Sequence, residues 1–503
     1  MTRRPVGLLV VAGLLGGGVL AAALAGGPAG ATPRPAVGSE AAVVGAVAVC
    51  PDIVQNGTAV QTRVSLGVAP DPTTERGGRV EGQRLGAPGP AAPLPLDRPG
   101  QVVVGLAAGP APADGYVVTA RGPLAAGLEV EQVGRGDDGP LRGLAGLRCE
   151  APRTESWFVG GSTLVGQQSV VVLANPDDAP ATVDVEVFTS RGPADTRPGR
   201  GLLVAPHSRR LVALDTLAPD RDRLAVHVSA LRGRVAAAVR HVRFDGRTPN
   251  GVEWVPQAQP PATSVVVPGI AAVRRGPGAS PRTLLVTNPT TDDTVVRLQL
   301  TTGDGQFVPT GLDAVPVPAG STASVDLTRL VATSPAAVTV TSDGSPVLAS
   351  ALLDDVQDAP LREISYAGSA PPLSGVAVLT DLVIDRPTES TLLLSAPQQD
   401  ASVQVTPVQV VGNRQPLPAA RTVAVAGGRT VALRLSTFLP PGATGRLAVE
   451  VRPVPGSGPV YAARYLRARG NRGPLTTSLT LQGAAQRVPR PQVLRDPGVS
   501  AGG

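Results

Sequence analysis

Val170–Phe188 reads VVVLANPDDAPATVDVEVF. An apolar run enters an Asn-Pro-Asp-Asp turn and leaves as Val183, Val185 and Val187 alternating with Asp184 and Glu186. A period of two buries one face and solvates the other, which marks a β-hairpin rather than a helix. The same phrase recurs as LLVTNPTTDDTVVRLQL at 284–300, as LLLSAPQQDASVQVTPV at 392–408, and in shorter form as VSLGVAPDP at 64–72. Laid over one another by Pro70, Pro176, Pro289 and Pro397, the copies stand about 110 residues apart. That spacing is the size of a domain and not of a solenoid repeat.

The repetition extends beyond the first hairpin. The runs 202–217, 315–330 and 423–438 each carry a strand, a Gly/Pro/Ser turn and a second strand, and 224–242, 336–353 and 447–466 do the same again, with 116–133 filling that place in the first copy. Seven or so short strands per copy, with regular turn signals and no helical period, predict an all-β chain: four tandem immunoglobulin-like β-sandwich modules following an N-terminal segment. The expected divisions are 40–151, 152–259, 260–372 and 373–483, with a disordered insertion at 71–100 and a disordered tail at 484–503. Pro/Gly-rich stretches around Pro260 and Pro371 read as short, fairly stiff linkers, so the modules are expected in a row.

Composition narrows function. The 503 residues contain 60 Gly and 53 Pro, and 2% are aromatic. All 45 basic residues are Arg, which excludes Lys-dependent phosphate loops and Schiff-base chemistry. The net charge of +6 is spread without basic runs or stacking aromatics, so nucleic acid is not an expected partner. Arg3 and Arg4 precede an uncharged apolar stretch, Val6–Ala25, and the small-residue site Ala29-Gly30-Ala31. Residues 1–31 therefore read as a signal peptide or a membrane anchor, and the chain as extracytoplasmic, secreted or held to the cytoplasmic membrane by this segment. In an exported chain the two cysteines, Cys50 and Cys149, are expected to form one disulfide, tying the first strand of the first module to its last.

Several motifs yield to plainer readings. Gly134–Gly139 matches G-x-G-x-x-G but falls where the other copies place a hairpin turn, with no helix to receive a pyrophosphate. Gly498–Gly502 matches G-x-S-x-G but sits in a Gly-rich tail. His207, His227 and His241 lack metal-ligand spacing, and Asp177-Asp178 and Asp292-Asp293 are turn acids, so no cofactor and no metal are expected. An enzyme would need a polar cleft joining at least two of His207, Asp215, His227 and Glu253. Trp157 and Phe158 read first as packing residues, with the junction between the first two modules as the candidate interaction site.

The stretch CEAPRTESWFVGG, Cys149–Gly161, followed by the LANP turn and the repeated sandwiches, resembles an uncharacterised family of actinobacterial exported proteins defined only as a domain of unknown function. The Pro346–Ala349 and Pro459–Ala462 strands resemble those of envelope repeats, and the absence of Lys suits a high-GC genome. The resemblance implies location and architecture without an activity. The expected function is thus a non-catalytic extracytoplasmic envelope protein, a β-sandwich scaffold or interaction module with an envelope protein or glycan as partner. The alternative is an accessory factor in cell-wall or surface-polysaccharide assembly that binds glycan or a pathway enzyme.

Overall fold

A computed structural model describes residues 40–51, 60–70, 77–105, 115–195, 197–272, 280–356, 361–383, 388–412, 417–438 and 446–489. The signal or anchor reading of 1–31 and the motif at 498–502 lie outside these residues. Among the described residues no helix is long and apolar enough to cross a membrane. The chain divides into two units. The smaller ends at Ala41 and resumes at Arg487, and the strand Glu40–Ala42 pairs with Arg487–Pro489 as a two-stranded sheet, so the expected disordered tail includes a strand. The larger, Ala42–Gln486, holds everything that follows.

Its strands fall into four sandwiches that share one eight-strand plan. In sandwich 2 the strands are Glu155–Val159, Gln167–Asn175, Ala181–Thr189, Leu202–Val204, Ser208–Ala213, Ala225–Arg232, Ala236–Asp245 and Thr248–Val255. One sheet has the order 4-3-6-1 and the other 5-2-7-8, and the sheets of the other three sandwiches repeat that order. Strands 2 with 5 and 3 with 6 pair as in immunoglobulin sheets, whereas strand 1 lies beside 6 and strand 7 beside 2. Each sandwich encloses a core of alternating Val, Leu and Ala, such as Val171, Leu173, Val183, Val185 and Val187 in sandwich 2. In sandwich 1 the core residues of strand 2 are Val64, Leu66 and Val68, one step nearer the proline than Val171 and Leu173. The proline alignment is therefore one residue out of register there.

The insertion expected to be disordered is largely structured. Arg79–Arg84 is strand 3 of sandwich 1, paired in register with Tyr116–Arg121, and Ala92–Pro93 is strand 4. Val80 alone of this strand enters the core, while Arg79 and Glu81 face outward in an ion pair. The other buried position is Gly82, so one apolar side chain in six leaves too little alternation to read as a strand.

The expected row of modules on stiff linkers is also corrected: the sandwiches close into a ring. Sandwich 1 meets sandwich 2 through Leu141, Ala145 and Leu147 against Val252 and Trp254. Sandwich 2 meets 3 through Trp157 and Val159 against Leu285 and Leu348, and sandwich 3 meets 4 through Val266 and Ala337 against Tyr461. Sandwich 4 then returns to 1: Gln409 and Val410 form a parallel ladder with Gln101 and Val102, fusing the two sheets into one of eight strands. The supposed linkers are bound on both sides, with Gln257–Ala258 paired to Trp157 and Phe158 and the Gln259 N–H donating to Ser369.

Candidate functional site

The eighth strands, Gly143–Arg148, Thr248–Val255, Arg362–Gly368 and Gly473–Thr480, touch one another in cyclic order and form the inner wall of the ring. Each is buried on both faces for most of its length, so their polar residues must find partners across the axis.

Glu253 supplies the clearest case. It is fully buried, and its Oε1 accepts from the backbone N–H of Trp254 (2.9 Å) and of Gly146 in sandwich 1 (3.1 Å). The Gly146 N–H is shared with Thr477 Oγ1 of sandwich 4, at 2.9 Å. A Cβ there would lie 2.8 Å from that oxygen, so a larger residue would have to displace Thr477. Two residues along the inner wall, Glu363 of sandwich 3 lies 3.8 Å from the Arg142 guanidinium. Arg142 also donates to the carbonyls of Arg362 (3.3 Å) and Pro474 (3.0 Å), binding sandwich 1 to sandwiches 3 and 4. Burial pushes both carboxyls well above the usual carboxylate range. Hydrogen bonds to Glu253 and the charge of Arg142 near Glu363 oppose the shift only in part.

Farther out, the seams carry further polar pairs. His241 bonds the Tyr366 hydroxyl of sandwich 3 at 2.8 Å and Gln167 at 3.0 Å. Burial, with Arg243 nearby, lowers its pKa to about 3, so the ring is neutral, accepting from Tyr366 and donating to Gln167. Glu131 accepts from Arg464 (3.2 Å) and Thr380 (2.7 Å) at the 4–1 seam.

Two cavities open beside this wall. One of about 30 Å³ is bordered by Arg148, Glu150, Phe158, Gln257, Ser478 and Gln482. Among the described residues, the Ser478 hydroxyl and the Gln257 side-chain amide oxygen there are buried without hydrogen-bond partners. The other, about 60 Å³, lies at the 4–1 seam beside Arg63, Arg135, Asp381 and Ser390. Both are far below the roughly 300–1,000 Å³ of small-molecule sites.

The residues singled out in the sequence are dispersed. Cys50 and Cys149 form a disulfide, joining the end of strand 1 of sandwich 1 to the residue after strand 8. Trp157 and Phe158 point to different neighbours: Phe158 enters the core of sandwich 2 and borders the small cavity beside Arg148 and Glu150 of sandwich 1, whereas Trp157 packs toward sandwich 3. His227 stacks on Trp157, 3.8 Å between ring centroids, with Glu155 and Glu186 each 3.2 Å from its nitrogens. His207 faces Asp178 in a turn, and Asp215 lies in the 3-10 turn Leu214–Thr216. No two of His207, Asp215, His227 and Glu253 share a hydrogen bond or a described cavity. Among the described residues no three His, Cys, Asp or Glu are grouped to hold a metal. The axial residues Arg142, Glu363 and Thr477 carried no functional motif. The one sequence signal was a charge set inside an apolar strand, Glu253 in GVEWV.

Fold and axis together define an all-β protein of four sandwiches closed around buried polar contacts. The chain belongs to a family of unknown function, DUF5719, whose model matches residues 103–454. That match begins within strand 5 of sandwich 1, Gln101–Val104, and ends just past strand 6 of sandwich 4, Arg446–Pro453. No curated protein matches the chain.

Proposed function

We propose that this protein is a non-catalytic extracytoplasmic envelope scaffold, built from four diverged copies of one immunoglobulin-like module. The observation that carries this reading is the use made of its polar side chains. Arg142, Glu131, Glu253, His241 and Arg464 are spent holding sandwiches to one another. A ring fixed at every seam presents loops and strand edges at set spacings, which suits docking of envelope partners. The disulfide fits an oxidising compartment, and the sequence at 1–31 fits export.

The test is complementation in cells lacking the protein, with a β-lactamase fused after Gly503 to report export. Extracytoplasmic lactamase activity and full complementation by His207→Ala, Asp215→Ala and His227→Ala are expected. Cytoplasmic retention, or loss of function in any of these variants at normal protein level, would contradict the reading. Retention of the purified protein on wall polysaccharide at low salt would instead favour the role in polysaccharide assembly.

A further inference from the structure

At three of the four seams, strand 3 of one sandwich reaches strand 5 of the next. From sandwich 4 to 1 the contact is the parallel ladder of Gln409 and Val410 on Gln101 and Val102. From 2 to 3 it is a single parallel bridge from Thr189 to Ser321, the residue just before strand 5 (Thr322–Asp326), and from 3 to 4 Thr430 Oγ1 donates to the Thr301 carbonyl at 2.7 Å. From 1 to 2 no such contact occurs among the described residues, and strand 5 of sandwich 2, Ser208–Ala213, is a sheet edge.

The cause is length. Strand 3 has nine residues in sandwiches 2 and 3 and ten in sandwich 4, but six in sandwich 1. It stops at Arg84, before a Pro88-Gly89-Pro90 segment that cannot extend a ladder.

The bare edge keeps the side chain of a seated one. Leu211 immediately precedes the core residue Val212, as Val102 precedes the core residue Val103. Val102 is fully buried by Val378, Val408 and Val410, whereas Leu211 is 53% exposed. The place of Gln101 is taken by Arg210, which is exposed and donates to the Leu203 carbonyl. Arg210 on this edge opposes pairing with a second copy, where like charges would meet. Its charge favours a strand that brings a carboxylate.

We propose that Ser208–Ala213 is a strand-docking site for an extended acidic segment of a partner protein. The segment pairs in parallel and sets an aliphatic side chain on Leu211 and a carboxylate beside Arg210, as Val410 and Gln409 of sandwich 4 lie against Val102 and Gln101 of sandwich 1. This names a partner class for the proposed scaffold, yet it stands apart from cellular location because the test uses the purified full-length chain.

The probe is a labelled, end-capped peptide of residues 403–411 of this chain in which Gln409 is replaced by Glu. Fluorescence anisotropy should show saturable, salt-sensitive binding, weakened at least tenfold by Leu211→Asp and by N-methylation of the probe backbone. Leu231→Asp, at another exposed leucine, should leave it unchanged. Leu211 is half in solvent, so its replacement does not threaten folding. Absence of saturable binding up to millimolar probe, or binding indifferent to Leu211→Asp or to N-methylation, would overturn the proposal. So would a concentration-dependent dimer that Leu211→Asp abolishes, since the edge would then belong to a second copy.

Discussion

The seam between sandwiches 4 and 1 and the seam between 1 and 2 hold the same sandwich by different means. At the first, strands pair across the boundary, Val102 is buried, and Glu131 meets Arg464 and Thr380 out of water. At the second, apolar faces meet through Trp254 and Leu147, the Glu253 carboxyl reaches across to the Gly146 N–H, and among the described residues no strand pairs with the edge outside. A repeated module can thus close a ring at one boundary by main-chain pairing and at another by side-chain packing. The boundary that omits main-chain pairing leaves an edge for other use.

The largest effect that would sharpen this contrast comes from the buried pair. Glu131→Ala strands the Arg464 guanidinium and should cost about 3–5 kcal/mol in denaturant unfolding. A loss below about 1 kcal/mol would mean that the 4–1 seam does not depend on that contact.

Next comes pH. His241 is depressed to about 3 in the folded chain against an ordinary value of 6.5, so the unfolded state binds the extra proton first. Its stabilisation is whole above pH 6.5 and is lost as pH falls toward 3. Between pH 6.5 and about 4.5 the loss should reach about 2 kcal/mol. Glu253 and Glu363, raised by burial, act in the opposite sense, favouring the fold as pH falls toward the ordinary carboxylate range. The difference between the wild-type and His241→Gln stability profiles isolates the histidine; parallel profiles would refute its burial at the 2–3 seam.

Smaller still, Val102→Ala should cost about 2 kcal/mol through two lost methyl groups and the space they leave. Leu211→Ala, at the corresponding exposed position, should stay within about 0.5 kcal/mol. Equal costs at the two positions would erase the distinction between a covered and an open strand.

The repeat was legible because hairpins write a period of two into Val183–Val187 and its counterparts. The ring was not. Closure depends on the second face of strands such as Gly473–Thr480, where Thr477 and Ser478 read as solvated residues yet are buried against neighbouring sandwiches. Pro/Gly-rich junctions look the same in sequence whether they separate modules or, as at Gln257–Gln259, are hydrogen-bonded between them. Strand Arg79–Arg84 was hidden by having one core residue, and the placement of Trp157 by the absence of any signal for which neighbour it meets. Glu253 was noticed as an acid but not as an axial tie, since its partners Gly146 and Thr477 come from sandwiches 1 and 4.

Ring closure itself is tested most directly by joining Gln101 to Gln409. As ladder partners these residues lie within disulfide reach, so the Gln101→Cys, Gln409→Cys double variant should oxidise to an intramolecular bond. Peptide mass mapping of the folded monomer should find the segments around 101 and 409 linked, alongside the native Cys50–Cys149 pair. Two free engineered thiols in folded protein, or links formed only between molecules, would show that sandwich 4 does not return to sandwich 1.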